Sequence, residues 1–104
     1  MPSIKQNKLK PTNPIIIRKI SGNSMYPELK PRSIVIATTW FRKLKVGDLI
    51  IFNHQNIDKI KRISAIKYDA IFVTGDNSDS STDSRAFGWI NLDNVIAKVV
   101  VPHS

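Results

Sequence analysis

Short apolar runs recur along the chain, separated by polar or glycine- and proline-bearing stretches. They are "IIIRKI" (15–20), "SIVIAT" (33–38), "DLIIF" (48–52), "NIDKIKRISAI" (56–66), "AIFVTG" (70–75) and "NVIAKVVV" (94–101). Most are rich in β-branched residues and only five to eight long, which suits strands better than helices. Turn signals bound them: Pro14 and Ser21-Gly22 around the first, "KPR" before the second, Val46-Gly47 before the third. Helical periodicity is weak throughout, and one helical turn is expected around 24–29. The pattern predicts a mainly β domain.

Composition narrows this. The chain has 104 residues, enough for one domain with one modest core. It contains no cysteine, so disulfides and thiolate metal sites are excluded. His54 and His103 are too far apart in sequence to suggest a metal site. No apolar run approaches the roughly 18–20 residues of a transmembrane helix. Lysines near the N-terminus are not followed by the apolar stretch of a signal peptide. The expectation is a soluble protein that at most touches a membrane surface.

The formal net charge is +8. Lys5, Lys8, Lys10, Arg18 and Lys19 lie in the first twenty positions with no acid among them. Residues 1–14, with Pro2, Pro11 and Pro14, read as a basic extended or disordered arm, and 15–104 as the domain. Such an arm is attracted to nucleic acid or anionic lipid, or is a solvated tail. In "TTWFRKLK" (38–45), Trp40 and Phe41 beside cations suit either a membrane interface or the edge of a small core.

Two loops are unusually polar: "SGNSMYPELKPR" (21–32) and "GDNSDSSTDSRAFG" (75–88). The second partly fits a calcium loop at Asp76, Asn77 and Asp79 but lacks the glycine and closing glutamate of that pattern. No Ser-His-Asp arrangement stands out. A serine can instead be activated by a lysine, provided burial or nearby positive charge makes that lysine easier to deprotonate. In "IDKIKRI" (57–63) the two-residue repeat puts Ile57, Lys59, Lys61 and Ile63 on one face and Asp58, Ile60 and Arg62 on the other. Lysines beside isoleucines are candidates for desolvation, and each repels the other. Taken alone, the stretch better describes lysines lying along a solvated edge strand.

The segments "SGNSMYPEL", "KVGDLIIF", "IDKIKRI" and "GDNSDSSTDSRAFGWI" follow one another in the order and wording of the signal peptidase I family of serine endopeptidases. The chain resembles that family over roughly residues 15–100. The resemblance implies the compact, mainly antiparallel β fold shared with LexA-type proteins, as a single domain. It implies Ser24, directly before Met-x-Pro, as nucleophile, and Lys61, directly before the arginine of "IKR", as general base. Ser81 matches the serine that hydrogen-bonds the lysine, and Asp76, Asp83 and Arg85 match the polar residues that brace the site. An Asp76–Arg85 ion pair is expected to pin the loop. The backbone N–H of Ser24 is the implied oxyanion donor. No metal and no cofactor are implied.

The chain also departs from the family. Gly22 stands two residues before the nucleophile, where some members carry a second oxyanion hydroxyl. Lys59 replaces an often aromatic residue. The "GLPGD" string, the large extra β-domain and the membrane anchor of many members are not found. The chain is most like the short anchorless proteases that mature nickel-type superoxide dismutase. The expected activity is removal of an N-terminal leader from a protein substrate, in the cytoplasm, with a peripheral membrane contact through Trp40, Phe41 and the basic arm as the further expectation. The alternatives are a type I signal peptidase acting at the membrane, or a basic nucleic-acid-binding module. No nucleic-acid partner is expected, because no helix-turn-helix, OB or RRM signature accompanies the charge. A self-cleaving regulator of the LexA type is disfavoured, since neither a DNA-binding domain nor an internal cleavage segment is evident. A non-catalytic peptide binder is disfavoured by the intact Ser24, Lys61, Ser81 and Asp83 set.

Overall fold

A computed structural model describes residues 14–102. The strands are β1 (Ile15–Lys19), β2 (Ile34–Thr38), β3 (Leu49–His54), β4 (Ile57–Lys67), β5 (Ala70–Thr74), β6 (Ile90–Asn91) and β7 (Val95–Val101). One four-residue helix, α1 (Ser84–Phe87), and 3-10 turns at Ser78–Ser80 and Leu92–Asn94 complete the elements. The strands form one sheet in the order β1-β2-β7-β3-β4-β5-β6, and every pairing is antiparallel. The mainly β, antiparallel expectation is borne out. The N-terminal residues 1–13, with most of the basic arm, and His103 lie outside the described residues. The Pro14 carbonyl accepts from the Thr39 N–H at 2.8 Å.

Local chemistry sets the hairpins. Between β3 and β4 only Gln55 and Asn56 intervene, both at positive φ (53° and 66°), the two-residue turn whose twist matches paired strands. Tyr68 (φ 56°) opens the equally short β4–β5 turn. The expected helical turn near 24–29 is a single one, closed by the Leu29 N–H donating to the Met25 carbonyl at 2.8 Å. β6 and α1 were not expected. Two and four residues are too few for either period to show in a sequence.

β7 lies between β2 and β3, so the last strand joins the two halves of the sheet. Successive residues of β3 enter different cores. Leu49 and Ile51 pack with Ile20, Met25, Leu29, Val35, Ala37, Ala97 and Val99. Ile50 and Phe52 pack with Ile63, Ile71, Val73, Ile90 and Val95. A strand covered on both faces has no polar alternation, which explains the uninterrupted "LIIF". Phe41 packs against the second core, whereas Trp40 is half exposed. Met25 is buried, while Trp89 is 46% exposed and meets Phe72 edge-on. Among the described residues no helix is long and apolar enough to cross a membrane.

Phe52 is fully buried at the centre of the second core. Phe52→Ala is expected to lower the unfolding free energy by about 3–5 kcal/mol, against less than about 0.5 kcal/mol for Ile57→Ala on the exposed end of β4. Urea denaturation of both variants measures the difference.

Candidate active site

The chain leaves β1 at Ile20, whose N–H donates to the Ser33 carbonyl and whose carbonyl accepts from the Arg32 N–H. The segment between is a closed loop. Met25 and Leu29 anchor it by burying their side chains in the first core. Ser24 precedes Met25 and is half-buried.

A second loop, entered from β5, is stitched onto the first. The Asn77 N–H donates to the Ser24 carbonyl at 2.8 Å. The Asn77 side-chain amide donates to the Asn23 carbonyl at 3.0 Å, and the Asp76 N–H donates to the Met25 sulfur at 3.4 Å. Gly75 fits between them for lack of a side chain. A Cβ there would stand 2.6 Å from the Ser24 carbonyl oxygen and 2.6 Å from the Ser81 Cβ, and would collide with the Ser81 hydroxyl. Ser24 is therefore more than a turn residue: its backbone is held by a loop fifty residues away.

Lys61 lies on β4, which is paired on one side to β3 and on the other to β5. It is not on an edge strand. Its register partner is the buried Ile50, and it is 5% exposed. Burial pushes its amine below the ordinary lysine value. The nearby Asp83 carboxylate opposes the shift, and the positive charges of Lys59 and Arg85 reinforce it. The repulsion from Lys59 anticipated by the two-residue repeat is present, though burial is the larger cause. Ser24 and Lys61 line the same groove, about 300 Å³ in volume, together with Ser21, Met25, Ile60 and Thr82.

Asp83 organises the wall behind. It is 1% exposed and caps α1. Its carboxylate accepts from the Gly75 N–H (2.7 Å), the Ser81 hydroxyl (2.6 Å), the Arg85 N–H (3.1 Å) and the Arg85 guanidinium (2.9 and 2.5 Å). Burial alone pushes this carboxyl up. The hydrogen bonds from Arg85, Ser81 and the Gly75 backbone outweigh it and hold the group well below the usual carboxylate range. The adjoining Ser84 hydroxyl accepts from the Val73 N–H at 2.9 Å, which ties α1 to β5.

One expected contact is corrected. Asp76 does not pair with Arg85. Its carboxylate takes two hydrogen bonds from Arg62, Nε to Oδ1 at 2.9 Å and Nη2 to Oδ2 at 2.8 Å. The reason is register: Arg62 lies opposite Thr74, two residues before Asp76, while Arg85 reaches back to its own helix cap. Arg62 also donates to the Gly47 carbonyl at 2.8 Å, so it ties three segments together. The Ser81 hydroxyl donates to the Asp83 carboxylate, leaving its oxygen as an acceptor. The sequence reading missed Arg62 and Gly75 as structural parts of the site. For Arg62 the signal was present: it follows Lys61 directly and faces the other way. Gly22, at φ 80°, adopts a conformation that favours glycine, and its missing side chain faces open space.

The fold and this loop arrangement bring a serine and a buried lysine onto one groove of a β domain. Comparisons with known proteins bear on what such a domain does. The family model described as signal peptidase, peptidase S26, matches residues 64–104, a span that holds Ser81, Asp83 and Arg85 but begins after Ser24 and Lys61. Mitochondrial inner membrane protease subunit 2 of Saccharomyces cerevisiae is 29% identical over 119 aligned positions, covering 85% of this chain and 67% of that protein. The resemblance to the signal peptidase I family is thus borne out, and it supports a serine-type endopeptidase that processes leader peptides.

The depressed Asp83 carboxyl makes a signed prediction. A carboxyl whose folded value lies below its unfolded value of about 3.9 stabilises the fold above that pH and loses the contribution as pH falls below it. Asp83→Asn is expected to melt about 5 °C or more below the parent at pH 7 and to lose less of its remaining stability between pH 4 and 2. Thermal melts across that range provide the check. Equal acid sensitivity in parent and variant would contradict the assignment.

Proposed function

We propose that this protein is an endopeptidase with a Ser24–Lys61 dyad that removes an N-terminal leader from a protein substrate. The observation that carries the reading is the placement of Ser24 on the same groove as a buried lysine whose amine is pushed below its ordinary value. In the proposed reaction, neutral Lys61 takes the Ser24 hydroxyl proton as the oxygen attacks the scissile carbonyl. The resulting ammonium protonates the leaving amine. A water deprotonated by the same lysine then attacks the acyl carbon, and Ser24 is regenerated. The Ser24 N–H is assigned to the oxyanion. A donor of this kind is worth about 10²–10³ in rate. Asp83, Ser81 and Arg85 act as positioning residues, together with the Arg62–Asp76 pair.

For the substrate, we favour a soluble protein leader of the kind trimmed by nickel superoxide dismutase maturation proteases, on the strength of the short "GDNSDSSTDSR" arrangement with no inserted domain before it. A second reading, a signal peptidase working at a membrane, is favoured by the yeast relative, whose name places it in an inner membrane protease. Mass spectrometry of products from a peptide pool containing both leader types separates the two.

Ser24→Ala and Lys61→Met are each expected to abolish cleavage in that assay. Cleavage that survives Ser24→Ala would overturn the nucleophile. Activity is expected to rise with pH as Lys61 loses its proton, with a midpoint below that of an ordinary lysine. Lys59→Gln, which removes a like charge, is expected to move the midpoint toward higher pH with the fold intact. An unmoved midpoint would contradict the assignment of Lys61 as base.

A further inference from the structure

The groove carries more positive charge than the proposed chemistry uses. Beside Ser24 and Lys61 its walls include Arg18 and Lys19 from the end of β1 and Lys59 from β4, against a single acid, Asp58. Elsewhere in the molecule the cations near the site are matched: Arg62 to Asp76, Arg85 to Asp83, and both Lys45 and Lys98 to Asp48. Among the described residues Arg18, Lys19 and Lys59 make no ion pair with a carboxylate. Arg18 donates to its neighbour's carbonyl, and the Lys59 ammonium stands 5.3 Å from the centre of the Phe87 ring. A ring face holds a cation in place without neutralising it. Asp58 is itself occupied, accepting from the Asn53 side chain at 3.1 Å.

We propose that this groove selects peptide segments bearing an acidic side chain close to the scissile bond, with Arg18, Lys19 and Lys59 as the specificity-determining residues. This rests on the reading of the groove as the substrate site. The strand repeat supplies the spacing. Lys59 and Lys61 lie on one face of β4, two residues and about 6.6 Å apart. An extended substrate repeats over the same distance. If its reacting carbonyl sits at Lys61, the side chain that meets Lys59 belongs to a residue two positions from the scissile bond. A carboxylate there exchanges the repulsion among three cations for attraction.

Binding separates this proposal from catalysis. Fluorescence anisotropy of the full-length Ser24→Ala protein would be measured with labelled peptides of one leader sequence, carrying Asp, Asn or Lys at each of the three positions on either side of the bond. The Asp peptide is expected to bind about tenfold more tightly than the Lys peptide, a difference of about 1.4 kcal/mol, with the largest effect two residues from the bond. Arg18→Gln combined with Lys59→Gln is expected to remove most of the preference, and each single substitution to reduce it. Lys67→Gln with Arg42→Gln, exposed positions away from the groove, is expected to leave it. Equal binding of all peptides, or a preference that disappears with the remote pair and survives the groove pair, would overturn the proposal. Cleavage by the parent protein is scored separately. Acid-selective binding without cleavage retains the proposal and removes the peptidase reading, whereas cleavage indifferent to charge does the reverse.

Discussion

An amine buried beside a carboxylate is the interaction on which the site depends. Removing Lys61 from water favours its neutral form, and an unshielded Asp83 would restore the charge. The structure resolves the conflict by engaging the carboxylate elsewhere. Asp83 accepts from Arg85, Ser81 and two backbone N–H groups, and the Arg85 charge bears on Lys61 with the opposite sign. The polar loop and the buried lysine are therefore one electrostatic unit. Removing Arg85 would remove a brace and also leave Asp83 freer to hold a proton on Lys61.

The sheet supplies what the loops cannot. β4 is an interior strand, and Lys61 on it is 5% exposed. Its neighbour Arg62 points the other way and fixes the loop that carries Asp76. The next residue, Asn77, holds the Ser24 carbonyl. Alternation on one strand thus sends one residue to the proposed chemistry and the next to the scaffold that positions it. Gly75 sets the clearance between the two loops, since any side chain there would push Ser81 away from Asp83 or lift Ser24.

Much of this was legible from the residues. The six apolar runs correspond to β1, β2, β3, β4, β5 and β7 within a residue or two, because β-branched runs bounded by Gly, Pro and Ser have few other ways to fold. The two-residue repeat in "IDKIKRI" placed Lys59 and Lys61 on one face. It could not say whether that face was wet, which depends on what the folded chain packs over it. The Asp76–Arg85 pairing failed for a related reason. Proximity in a loop suggested it, whereas the β4–β5 register and the helix cap at Asp83 decided it. β6 and α1 were too short to leave a pattern. The role of Gly75 is not marked in the sequence, because steric need across fifty residues leaves no local trace.

Burial of Lys61 is expected to make it an unusually weak base for a lysine. Direct titration of the lysine amines would test it, using protein carrying ¹³C-labelled lysine and following the ε-carbon shifts by NMR from pH 6 to 11, with Lys61→Met to assign the signal. One lysine is expected to deprotonate below all the others and to be missing from the variant. A Lys61 signal that titrates together with the exposed lysines would contradict it.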